Sequence, residues 1–79
     1  MEKTRRAAVQ RAFGDRMRML RHRLGVSQDE FALRSGLHRT YIGAVERGEC
    51  NISLVNVVRI AETLEVPPAA LLEEAEPVG

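Results

Sequence analysis

The stretch Ser27–Gly48, SQDEFALRSGLHRTYIGAVERG, decides the fold. It divides into two short helices about a tight turn. Ser27 has the chemistry of an N-cap and Glu30 follows three residues later, the capping-box pattern that starts a helix at Gln28. Gly36 takes the left-handed conformation without steric cost, so that helix ends near Ser35–Gly36. A second helix starts at His38 or Arg39, runs to Glu46 and is stopped by Gly48. Apolar spacing turns Phe31 and Ala32 of the first helix, and Ile42 and Val45 of the second, toward one core. Leu37 plugs the turn, and the small Ala32 lets the two helices approach. The outward face of the second helix then carries Arg39, Thr40, Gly43, Ala44 and Arg47, a surface suited to the major groove of DNA.

Upstream, a helix that begins between Thr4 and Val9 carries Val9, Phe13, Met17, Leu20 and Leu24 at steps of three or four, an inward stripe. Its opposite face bears Arg11, Arg16, Arg18, Arg21 and Arg23, and Gly25 ends it. Downstream, Ser53 caps a helix over Leu54–Leu64 with Leu54, Val57, Val58, Ala61 and Leu64 inward. Glu65 to Pro67 break that helix. Pro68 suits the first turn of a fifth, from Ala69 to about Glu74, presenting Leu71 and Leu72. The tail from Ala75 to Gly79 is expected to fray. Without any strand pattern, the expectation is an all-α fold of five helices forming a single domain over residues 1–79.

Such a short chain buries a modest share of its surface and has little room for a catalytic cleft. Its 44% hydrophobic and 29% charged residues are ordinary for a folded domain. The net charge of +1 conceals a polarised distribution: residues 1–24 sum to +6, residues 25–53 to −1 and residues 54–79 to −4. The basic end can attract phosphate, or can simply be a solvated helix face. Cys50 is the only cysteine, which excludes an internal disulfide and points to a reducing, cytoplasmic compartment. It reads as a loop cysteine in preference to a redox switch. No apolar run is long enough for a membrane span. His22 and His38 stand sixteen residues apart without a ligand cluster, and neither a phosphate-binding glycine loop nor a catalytic triad pattern is present. No enzyme activity, metal or cofactor is expected.

With Ala32, Gly36, Ile42 and Val45 in the fifth, ninth, fifteenth and eighteenth places from Gln28, the segment resembles the helix-turn-helix of the phage repressor and Cro (XRE) regulators. The Ser27-Gln28 opening and the Glu46-Arg47-Gly48 close agree as well, and the resemblance covers roughly Phe13 to Leu72. It implies a lambda-repressor-like fold and a sequence-specific regulator of transcription. The chain length, HRTYI in the second helix of the motif and ECNISL after it are similar to restriction–modification controller proteins. Those are small dimers that regulate their own operon and the endonuclease gene. The implied partners are a palindromic double-stranded operator, a second copy of the chain and RNA polymerase. The alternative is an antitoxin-like protein-interaction module with secondary DNA binding. The short tail after the fifth helix offers little for a toxin to fold.

The resemblance places the first turn of the motif's second helix against base edges. Arg39 there can donate two parallel hydrogen bonds to guanine O6 and N7, and Thr40 adds a hydroxyl and a methyl. Ala44 permits only an apolar contact. Gly43 marks either close approach to the groove or a tolerated surface glycine. Gln28, beside Ser27 at a helix N-terminus, resembles a phosphate-holding glutamine. Arg47, Asn51 and Ser53 are further phosphate candidates. Tyr41 either offers its hydroxyl to phosphate or is structural. Arg21 and Glu46 align with an ion pair that ties the family's first helix to the recognition helix. Residues 54–74, with Val66, Leu71 and Leu72, are the expected dimer surface, unless these side chains close the monomer's own core.

Overall fold

A computed structural model of the chain describes residues 2–73. Five helices follow in order: α1 Lys3–Leu24, α2 Gln28–Ser35, α3 Arg39–Glu46, α4 Leu54–Leu64 and α5 Ala69–Leu72. Among the described residues there is no strand. Glu74, where the fifth helix was expected to end, and the tail from Ala75 lie outside the described residues.

Local chemistry sets the helix ends. Gly25 and Gly36 stand in the left-handed region with φ of 78° and 74°, and their N–H groups cap the last carbonyls of α1 and α2. Ser27 Oγ accepts from Glu30 N at 3.1 Å, and Ser53 Oγ accepts from Asn56 N at 3.2 Å. The capping box at α2 is only half made, because the Glu30 carboxylate pairs with Arg34 one turn on, at 3.0 Å. His38 caps α3, its Nδ1 accepting from Thr40 N. Glu65 closes α4 at φ 62°, a left-handed position held without glycine.

The core joins Phe13, Met17 and Leu20 of α1, Val26, Phe31 of α2, Ile42 and Val45 of α3, Val57, Ile60, Ala61 and Leu64 of α4, and Leu71. Two expected stripes are corrected here. Val9 is 49% exposed, at the rim of a groove it lines with Leu71 and Leu72 of α5, which flank it without enclosing it. On α4 the buried set is Val57, Ile60, Ala61 and Leu64, whereas Leu54 is 79% exposed and Val58 also faces out. The inward face is thus centred on Ile60, and Leu54 in the first turn shares the outward face with Val55 and Val58. Gly14 sets the crossing of α1 and α3: a Cβ there would lie 2.5 Å from the Val45 carbonyl oxygen and 2.6 Å from that of Glu46. No helix is long and apolar enough to cross a membrane among the described residues.

Candidate nucleic-acid interface

The surface of interest is the exposed side of α3 and its flanks, and what holds α3 in place is the buried carboxylate of Glu46. Arg21 of α1 grips it through Nε at 2.7 Å and Nη2 at 3.0 Å. The same guanidinium donates to the Val26 carbonyl through Nη1 at 2.9 Å. Arg18 adds a looser contact, 3.6 Å to the carboxylate, and donates to the Glu46 backbone carbonyl. Burial pushes the Glu46 carboxyl up. The hydrogen bonds from Arg21 and Gln28, with the charges of Arg21 and Arg18, outweigh that and hold it below the ordinary glutamate value. α3 is therefore clamped to α1 at its C-terminal end.

On this frame Arg39 and Thr40 are exposed in the first turn of α3, Ala44 is half-buried one turn on, and Arg47 is exposed just past the end. Arg39 Nε lies 2.5 Å from Asp29 Oδ1, so its two terminal nitrogens remain free to address an acceptor pair. Arg47 pairs with Glu49 at 3.0 Å. Tyr41 is half-buried. Its hydroxyl accepts from Asn56 Nδ2 of α4 at 3.1 Å and still carries a proton to donate. Asn51 is exposed in the α3–α4 turn.

Several expected roles change. The amide of Gln28 donates to Glu46 at 3.0 Å, so this side chain is turned inward to the clamp instead of standing free for phosphate. Gly43 is buried, not open on the groove face, because the Arg47 side chain folds over it. A Cβ there would come within 3.1 Å of Arg47 Nη1. The Ser27 and Ser53 hydroxyls spend a lone pair on helix caps and keep only their protons for phosphate. Leu71 is 1% exposed within the monomer core and cannot form a dimer surface, whereas Leu72 is 67% exposed. Val66 is half-buried against that same core. Asp29, Arg18 and Asn56, which contact the candidate residues Arg39, Glu46 and Tyr41, are not marked by any motif. Only their helical register relative to Arg39, Glu46 and Tyr41 could have suggested them.

Burial and the nearby Glu49 charge push the Cys50 thiol up, which keeps it protonated and a weak nucleophile. Among the described residues no group of three or more His, Cys, Asp or Glu side chains could hold a metal ion.

A helix-turn-helix domain family model matches residues 12–75. The chain belongs to the helix-turn-helix family. It is 42% identical over 62 residues to the control protein C.BamHI of Bacillus amyloliquefaciens, covering 77% of this chain and 76% of that one. The control protein C.SmaI of Serratia marcescens is 38% identical over 64 residues, with 81% and 76% covered. Among solved structures, the restriction-modification controller protein C.AhdI of Aeromonas hydrophila superposes with a TM-score of 0.79 at 47% identity. That match covers 81% of this chain and 97% of the other. The chain is a helix-turn-helix transcriptional regulator related to the restriction–modification controller proteins.

Proposed function

We propose that this regulator binds a palindromic DNA operator as a homodimer, α3 of each subunit lying in the major groove, and that it is itself a restriction–modification controller, the role that the name of C.AhdI gives to that protein. The observation that carries the DNA reading is the pairing of a solvent-facing Arg39 and Thr40 with a rigidly clamped helix. A base-reading side chain discriminates only when its backbone is held at a set angle, and the Glu46 clamp supplies that hold. Arg39 reads a guanine. Arg47, Asn51, Tyr41 and the protons of Ser27 and Ser53 contact phosphates and set the register.

One α3 is a small reader, and two-fold symmetry doubles its contacts with half-sites about one helical turn apart. The dimer surface in this reading is the exposed apolar strip Leu54, Val55 and Val58 of α4; Leu72 of α5 is also exposed, in a separate groove beside Val9 of α1. Three large apolar side chains together in water on so small a domain favour burial against an identical strip. The test is Leu54→Lys with Val55→Lys, both at exposed positions where the fold is not at stake. The double variant should sediment as a monomer and lose most operator affinity while keeping its helical circular dichroism. An unchanged sedimentation mass rejects this surface.

A further inference from the structure

Eight cations lie on α1; Arg23 is exposed and makes no ion pair among the described residues, and the other seven fall into two sets. In its C-terminal half, Arg21 and Arg18 hold Glu46, and Arg16 pairs with Glu73 at 2.9 Å while donating to the Ala70 carbonyl at 2.7 Å. In its N-terminal half, Lys3, Arg5, Arg6 and Arg11 are all exposed, and no carboxylate among the described residues lies within ion-pair distance of any of them. The first turn of α1 contains no acidic residue, and Glu2 makes no side-chain cap. Three cations at the positive end of a helix dipole oppose helix formation. They serve no packing either, since residues 2–9 are exposed throughout. This segment also precedes the residues matched by the family model.

Its position says what it meets. The backbone of α1 at Arg11 passes so close to Gly48 that a Cβ on that glycine would lie 2.8 Å from Arg11 Cα. The unpaired cations therefore continue directly from the α3–α4 turn that carries Arg47 and Asn51. From Arg11 to Lys3 the helix runs about 12 Å, roughly three to four base-pair rises of duplex.

We propose that the Lys3–Arg11 segment of α1 is a second phosphate-binding surface, taking the operator backbone next to the phosphates held from the α3–α4 turn. The inference rests on the DNA-binding reading above and extends it to a tract of backbone that α3 does not reach. Apolar side chains are too sparse here for a membrane face, Val9 being the single large one. The four cations stand at irregular steps of two, one and five residues, so what favours a duplex over an acidic protein surface is their continuity with the α3–α4 turn at Gly48.

The test uses the full chain with Lys3→Gln, Arg5→Gln and Arg6→Gln together, since glutamine keeps helix propensity and removes charge. Binding to a duplex enriched from a random library by the wild-type protein is followed by fluorescence anisotropy from 50 to 200 mM salt. Three lost phosphate contacts make the salt slope shallower by about 2.7 per segment, so the wild type's advantage shrinks about 40-fold per segment across that range, and on the order of 10³-fold for the two segments of a dimer. The variant Arg5→Lys/Arg6→Lys, which keeps the charge, should retain the wild-type slope. A scan replacing single phosphates by methylphosphonate should reveal positions that weaken the wild type and leave the triple glutamine variant unaffected. An identical slope and an identical scan for the two proteins overturn the proposal while leaving α3 as the reader. Equal binding of the wild type to enriched and random duplexes would instead strike the operator reading itself. Loss of binding to anionic phosphatidylglycerol vesicles, with DNA binding unchanged, would also overturn it.

Discussion

Replacing Glu46 by Gln tests the clamp that holds α3 and the proposed recognition surface. The wild-type carboxylate accepts three hydrogen bonds of 2.7–3.0 Å, two from Arg21 and one from Gln28, and its side chain is wholly buried. An amide offers one acceptor oxygen and turns an NH2 group toward donors. The Arg21 guanidinium, almost as deeply buried, is then left as an unneutralised charge, which costs about 3–5 kcal/mol. Arg21 keeps its bond to the Val26 carbonyl, so the lower end applies, about 3 kcal/mol. For a domain of this size that is a fall in Tm of about 12–24 °C. Thermal unfolding by circular dichroism, with urea titration at fixed temperature, measures both quantities. The pH dependence carries a sign. The folded-state pKa of Glu46 is depressed, so its stabilisation is present above the unfolded value near 4.5 and is lost as pH falls through the lower folded value. The wild type should lose stability below about pH 4.5 more steeply than Glu46→Gln. The double variant Arg21→Met/Glu46→Leu, with no buried charge left unpaired at this pair, should recover most of the loss. A loss under about 1 kcal/mol in Glu46→Gln, or a double variant no better than the single, would refute the clamp as the holder of α3.

Gly14→Ala should lower the urea midpoint, by about 1–3 kcal/mol in stability, although alanine is the better helix former, because the new methyl meets two backbone carbonyls that cannot move aside. Arg39→Ala should cost about 1–3 kcal/mol per half-site and relax preference at one base pair, read by competition among single-base operator variants. Arg47→Ala should weaken operator and random DNA alike, with a salt slope shallower by about one per subunit, and full discrimination retained by Arg39→Ala would remove Arg39 as the reader.

Most helix boundaries were legible because they depend on contacts a few residues apart; the start of α1 at Lys3, ahead of the expected Thr4–Val9, has no side-chain cap to mark it. Ser27 and Ser53 bond the N–H three residues on, and Gly25 and Gly36 close the turns they terminate. A side chain's own chemistry and its immediate neighbours decide such ends before any packing occurs. The register of Ala32, Gly36, Ile42 and Val45 likewise identified the motif, since two helices crossing on one core need small and branched residues at set intervals. Periodicity marked apolar stripes but not which of their members would find a partner. Val9 and Leu54 satisfy the spacing and remain in water, while Leu71 is enclosed by the monomer. The same limit governed the site. Gln28 turns from phosphate to Glu46, Arg47 folds over Gly43, and Asp29 takes the Nε of Arg39. Those pairings join residues four to eighteen positions apart, most of them across separate helices. They exist because packing sets side chains within about 3 Å of one another, a closeness that no one-dimensional pattern encodes.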